Sequence, residues 1–246
     1  ARVLGEFAFD NEDSLISPDD IENAKKTELN PAGQRSVLGV DVARMGKDAS
    51  AVYINTAGHV RLLDTWSKTL TTETAMRIHR LALDHNAEEV RVDSIGIGAG
   101  VADQLEIMEG RTYTLVRMDS GAASPNRLHW HNARAFWWDN VRSKLRQGRI
   151  DMDPSDESVQ DELMTPRYSF NKSSGGLVIE SKDEMRKRGV NSPDLADAFV
   201  FAATDLTPDD NSPLAGLAKG TRIYSNASDI LGEMPDYLSV IREVWL

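Results

Sequence analysis

The sequence predicts an α/β domain built on a mixed β-sheet flanked by helices. Two patterns predict it. Three strand-like segments follow one another, the last two joined by a tight turn, and from residue 71 helical and strand patterns alternate, giving the order β-β-β-α-β-α-β. Composition supplies a third reason: 246 residues, 40% apolar and without cysteine, bury a sizeable core by packing alone. The same composition excludes a disulfide scaffold, a zinc-thiolate module and a cysteine hydrolase.

Residues 1–36 are polar and turn-rich (NEDS, SPDD, NPAG) and read as a lead-in with one short helix opened by Ser17-Pro18. The core opens with a strand over 36–43, then strands over 49–56 and 59–66 about an Ala57-Gly58 turn, an antiparallel meander. Thr71 or Thr72 caps a helix with Ala75, Ile78, Leu81 and Ala82 on one face. A strand over 88–93, a helix from GAGVADQLEIM and a strand over 112–118 follow. A long helix is predicted from Asn126 to Gln147, its Trp130, Ala133, Trp137, Val141 and Leu145 turned inward and Arg134, Arg142 and Arg149 outward. RYSFN and GLVIES, joined by a Ser/Gly-rich turn, form an inserted β-hairpin. The last helix starts at NSPDLADAFVFAAT, with Ser192 as cap and Pro193 at its first position. Beyond Leu206 lies a polar tail ending in DYLSVIREVWL, which has the pattern of a short amphipathic helix. The expected organisation is therefore a lead-in over 1–36, a domain over 37–206 and a tail over 207–246.

Net charge is −11, but the two ends hold most of it: residues 31–204 carry 22 basic against 24 acidic side chains. Within that stretch, residues 127–149 hold six cations against Asp139 alone, and Lys182, Arg186, Lys187 and Arg188 make a second basic run. For any single charge run, a solvated helix face is the simpler account. No apolar run approaches the ~20 residues needed to cross a bilayer and Ala1 opens no leader, so the expectation is a soluble intracellular chain without membrane partners. A start at Ala1 suggests a piece of a longer protein.

Asp41 lies inside an apolar strand, where an unpaired carboxylate costs several kcal/mol or turns neutral, on the order of ~2–7 kcal/mol for a polar group. Asp93 repeats the pattern at the end of another strand. If the two strands are parallel neighbours, ~4.8 Å apart, the carboxylates share an ion. Each taken alone is also a strand-end aspartate capping a turn. Asp194 and Asp197 are spaced i, i+3 at the start of the last helix and project from one face. A favourable helix-terminal charge explains Asp194 but not Asp197, set among Leu195, Ala196, Ala198 and Phe199. Carboxylates without Cys or His suit Mg²⁺ or Mn²⁺, and such a cluster holding two ions is suited to phosphodiester hydrolysis.

Two other motifs fail. Gly46-Lys47 is followed by Asp48, and Asp41 stands where a phosphate-binding loop needs glycine. Gly96, Gly98 and Gly100 are spaced G-x-G-x-G, not as a dinucleotide fingerprint. The five histidines show no ligand spacing with carboxylates, and Trp130, Trp137 and Trp138 read as core.

Four blocks, VLGVDVARMGKDASAVYI, RVDSIGIGAGVADQL, HNARAFWWDNVRSKLRQGRI and ESKDEMRKRGVNSPDLADAFVFAA, together resemble, in order, the nuclease domain of the large terminase subunit of tailed bacteriophages. The resemblance implies a ribonuclease H-like (RuvC-like) fold and a metal-binding triad of Asp41, Asp93 and an aspartate of SPDLADA, with Asp197 preferred over Asp194 and both available. It gives Asp48 as an auxiliary ligand and places Lys182, Arg186, Lys187 and Arg188 near DNA, to which the outward Arg134, Arg142 and Arg149 add a second track. It implies a Mg²⁺- or Mn²⁺-dependent endonuclease that cuts concatemeric viral double-stranded DNA during packaging, in the cytoplasm of the infected bacterial host. The partners implied are the portal protein, the small terminase subunit and an upstream ATPase domain whose Walker A motif this sequence lacks. The alternatives are a module that docks DNA and portal with little activity of its own, and a RuvC-like junction resolvase or recombinase. A sugar-kinase or actin-like nucleotide binder needs two such domains and a longer chain.

Overall fold

The computed structural model describes residues 13–43 and 49–208. Strands β1 (Ser36–Asp41), β2 (Ser50–Thr56) and β3 (His59–Trp66) form the expected antiparallel meander, turned at Ala57 and Gly58, both with positive φ. On the other side of β1 lie β4 (Ala87–Asp93) and then β5 (Thr114–Met118), both parallel to it, and a two-residue β6 (Asp151–Met152) pairs with β3. The sheet order is β5-β4-β1-β2-β3-β6. β1 is thus central, which is why five of its six residues are buried.

Successive residues of a strand point to opposite faces, and β1 divides the core accordingly. Leu38 and Val40 join Ile78, Ala82, Val101 and Leu105 beneath α2 (Thr71–Asp84) and α3 (Ile97–Glu106). Gly39 and Asp41 face the other way, toward α7 (Asp194–Ala203), backed by α4 (Ala133–Arg146) and α1 (Pro18–Lys26). A Cβ at Gly39 would lie 2.2 Å from both the Ala198 carbonyl oxygen and the Ala202 nitrogen. Only glycine lets the central strand approach the helix backbone this closely, and the approach brings the start of α7 beside Asp41.

Several boundaries differ from the sequence expectation, each for a local reason. The described part of the lead-in is integral to the domain: Leu15, Ile16, Ile21 and Ala24 are buried in the core, and Ser17 and Asp20 close a capping box on α1. The helix expected from Asn126 begins at Ala133, because Asn132 turns its side chain back to accept the Ala135 N–H. Trp130 therefore lies before the helix, still buried, with its indole N–H donating to Asp139. Leu70, not Thr71 or Thr72, occupies the cap of α2, and Pro193, not Ser192, that of α7. Two helices absent from the sequence reading, α5 (Glu157–Met164) and α6 (Lys182–Lys187), flank the inserted hairpin of β7 (Tyr168–Phe170) and β8 (Leu177–Ile179). The amphipathic pattern over 236–246 and Asp48 lie outside the described residues.

Candidate active site

Asp41 and Asp93 end adjacent parallel strands. The last registered pair is Val40 with Val92, so the two aspartates stand one step further, side by side at the carboxyl edge of the sheet. Asp93 is held by the Ile95 N–H at 3.1 Å, and the first turn of α3 presses against its carbonyl, where a Cβ on Gly98 would approach to 2.0 Å. That close contact accounts for Gly98, and a positive φ of 64° for Gly96.

From the opposite side α7 delivers Asp194 and Asp197, the i, i+3 pair. Asp197 is 4% exposed and fully engaged: its Oδ1 accepts from the Trp138 indole at 3.2 Å and the Arg134 guanidinium at 3.4 Å. Arg134 in turn donates to the Glu180 carbonyl and lies over the Trp138 ring at 5.5 Å. The helix N-terminus carries no cap of its own. Glu162 of α5 provides one, a single carboxylate oxygen accepting the Leu195 N–H at 2.8 Å and the Ala196 N–H at 3.1 Å.

The acids converge on one cation. Ser181 and Glu184 close a capping box that makes Lys182 the first residue of α6, and the Lys182 ammonium lies 3.0 Å from Asp197, 3.3 Å from Asp194 and 3.4 Å from Asp41. Burial pushes the Asp41 carboxyl well above the usual carboxylate range, opposed by Lys182 and reinforced by Asp197, Asp194 and Asp93. Asp93 is raised for the same first reason, its hydrogen bond from Ile95 working against it. Burial also lifts Asp197, but Lys182 and Arg134 outweigh it, so this carboxyl lies below its ordinary value. Burial disfavours the charged Lys182, yet Asp197, Asp41 and Asp194 raise it above the usual lysine range.

Among the described residues, no three His, Cys, Asp or Glu side chains form a ready-made group for a metal ion. The carboxylates instead surround Lys182. The donor set nevertheless fits a hard divalent ion, since all of it is carboxylate oxygen and three acids already face one positive charge.

The basic residues are distributed differently from the outward track expected. Arg134 is 8% exposed and bound to Asp197, so it supports the acidic centre rather than facing solvent. Arg142 pairs with Asp139, and Arg188 clamps Glu180 and the Thr165 carbonyl. Lys182 is inside the cluster. Arg149, Lys187 and Arg186 are exposed, the last paired with Asp183 at 2.8 Å. Glu162 and Trp138 were not singled out as site residues by sequence.

Glu162 gives the site a pH signature. Burial pushes its carboxyl up to about 7, against the two backbone N–H groups and with Asp194 and Asp197 adding. Between its ordinary value of 4.5 and about 7 the folded chain binds more protons than the unfolded one, so stability falls as pH rises through that window. Glu162→Gln keeps an oxygen for both N–H groups and removes the titration. In chelator, urea unfolding is expected to show the variant more stable than wild type at pH 8, by up to ~3 kcal/mol, the difference closing toward pH 4.5. Parallel stability curves would contradict this origin.

No family profile matches the chain, and no curated protein matches it either. Solved structures do. The nuclease domain of the large terminase subunit gp2 of bacterial virus Sf6 is 22% identical, with a TM-score of 0.69 over 79% of this chain and 100% of that one. A K428A mutant of that domain with manganese is 20% identical, TM-score 0.67, over 78% and 99%. The large terminase nuclease from thermophilic phage G20c with bound magnesium is 20% identical, TM-score 0.52, over 70% and 82%. The chain thus shares the ribonuclease H-like fold of these domains.

Proposed function

We propose that this chain is a divalent-metal-dependent endonuclease acting on double-stranded DNA, the nuclease module of a phage packaging terminase. One observation carries the reading: Asp41, Asp194 and Asp197, from a strand and a helix far apart in sequence, meet around a single cation at the sheet edge where Asp93 also ends, on a fold shared with terminase nucleases. Asp41, Asp93, Asp197 and Asp194 would hold Mg²⁺ or Mn²⁺, enough carboxylates for a pair of ions. When bound, the metal supplies positive charge at the scissile phosphate and acidifies the attacking water.

The remaining work belongs to the protein. Arg134 and Trp138 fix Asp197 so that it cannot rotate out of the cluster. Glu162 anchors the start of α7 and thereby the spacing of Asp194 and Asp197. In hydrolysis the water oxygen bonds to phosphorus as one P–O ester bond breaks, and the leaving oxygen takes up a proton; no covalent enzyme intermediate is needed. In this reading the chain works in the host cytoplasm with an ATPase domain, a small terminase subunit and the portal; no helix among the described residues is long and apolar enough to cross a membrane.

Supercoiled plasmid is expected to be nicked and linearised with Mg²⁺ or Mn²⁺ and left intact with EDTA. Cleavage that persists in EDTA would overturn the reading. A second reading, a docking module with little activity alone, is favoured by Lys182 occupying the centre of the acids. It predicts salt-sensitive duplex binding without cleavage at any metal concentration. A resolvase would instead prefer four-way junctions to linear duplex.

A further inference from the structure

A cavity of about 370 Å³ opens between the loop before α4 and the turn of the β7–β8 hairpin. Its polar lining comes from Arg127, His131, Asn132, Asn171, Ser173 and Ser174, and among the described residues no acidic side chain lines it. On a chain of net charge −11 that is a distinctive composition.

The hydrogen bonds show which donors remain available. Asn171 Oδ1 is committed to its own turn, accepting from the Ser173 N–H, the Ser173 hydroxyl and the Ser174 N–H. Its amide nitrogen is therefore the atom that meets His131 Nδ1, at 3.3 Å. Nδ1 must accept, which leaves Nε2–H as the imidazole donor. Ser174 Oγ accepts from the Gly176 N–H, so its own proton is free to be given away. Arg127 is exposed and, among the described residues, its guanidinium has no partner. Asn132, by contrast, is spent capping α4. Three unmatched donors of different kinds thus border one cavity.

The frame holding them is fixed. The Leu177 N–H donates to the His129 carbonyl and the His131 N–H to the Leu177 carbonyl, both at 2.8 Å. A Cβ on Gly176 would lie 2.7 Å from the Arg127 carbonyl oxygen, so the two loops are in direct backbone contact. Arg134, which touches Asp197, is three residues from His131, so the chain holds the Cα atoms of those two residues at most ~11 Å apart. One strand of a duplex advances ~3.4 Å per nucleotide, so a few nucleotides cover that distance.

We infer that this cavity binds a backbone phosphate of the DNA, a few nucleotides from the scissile bond, through Arg127, His131 Nε2–H and the Ser174 hydroxyl. Phosphate oxygens accept from all three, and the described lining residues include no carboxylate, Asp119 beside them being engaged by the Gly121 N–H. The inference rests on the nuclease reading above for its ligand, and it assigns that reading a positioning contact outside the acidic centre.

The test measures duplex binding by the full 246-residue chain in EDTA, where cleavage plays no part. Fluorescence anisotropy of a labelled duplex is followed against NaCl. Arg127→Ala is expected to weaken binding roughly 3- to 10-fold and to make the slope of log K against log [salt] shallower by about 0.9, one phosphate contact. Ser174→Ala weakens it less, and Arg127→Lys restores the slope because one positive charge returns. Because Arg127 is exposed, the variants should melt with wild type. Inorganic phosphate is the competing source of the same chemistry. Displacement of duplex from wild type by millimolar phosphate, with the residual binding of Arg127→Ala insensitive to it, supports the assignment. Unchanged affinity and salt slope in Arg127→Ala overturn it, as does phosphate perturbing the His131 resonances while that variant binds duplex normally. In either case metal-dependent cleavage, if present, leaves the nuclease reading standing. A wild-type chain that neither binds nor cuts duplex overturns both.

Discussion

Asp41→Asn is expected to reduce Mn²⁺- or Mg²⁺-dependent plasmid cleavage by at least roughly 10³-fold. Loss of a carboxylate from the ion site removes several kcal/mol of charge stabilisation in the transition state, and each ~1.36 kcal/mol is a factor of ten in rate. Stability should move the other way. Asp41 is 3% exposed, and burial with three neighbouring acids holds its carboxyl well above the usual range, so its charged form is an expense the metal-free fold carries. Asn fills the same space without the charge, and its oxygen still accepts from Lys182. Thermal melting in EDTA should therefore show the variant at or above wild type, while cleavage with metal is lost. That opposition separates a residue kept for chemistry from one kept for folding. Full cleavage by Asp41→Asn would remove it from the site; loss of both activity and fold would make it structural.

The strand-borne half of this site was legible in sequence because a charge interrupting an apolar run is conspicuous at positions 41 and 93. Their meeting was conditional on the two strands being parallel neighbours, and β1 and β4 are such neighbours. The helix-borne half was legible through the i, i+3 spacing of Asp194 and Asp197. Lys182 was harder. It opens a run of cations, and composition does not say which member of a run turns inward. The available signal was the capping box Ser181-Lys182-Asp183-Glu184, which makes Lys182 the first residue of a helix beside the acids. Arg134 was assigned to solvent because it lies beside the apolar stripe, whereas every residue from 133 to 138 is buried and the first turns of α4 have no solvent face. Glu162 left no pattern to read, since its role is to cap a helix more than thirty residues away, a contact made only by the fold.

Lys182→Ala is the complementary substitution. Without the ammonium, Asp41 and Asp194 lose the only cation within 4 Å that the described residues provide them, and Asp197 retains Arg134. Breaking a buried charge pair costs about 3–5 kcal/mol. Because the Lys182 side chain is 34% exposed, the low end, about 3 kcal/mol, applies. For a chain of this size that lowers the melting temperature in EDTA by about 6–12 °C. Divalent ions should then return more than they return to wild type. In wild type an entering ion must displace the ammonium; in the variant it meets uncompensated carboxylates. A ligand at one hundred times its Kd stabilises by about 2.7 kcal/mol, so millimolar Mn²⁺ or Mg²⁺ recovers most of the loss in Lys182→Ala and raises wild type less. The alternative role, a lysine that tracks DNA, predicts the reverse pattern: unchanged melting in EDTA, equal metal-induced shifts in both proteins, and a shallower salt dependence of duplex binding in the variant. Melting curves with EDTA and with each metal separate the two roles, because only a lysine standing in for the ion couples stability to metal.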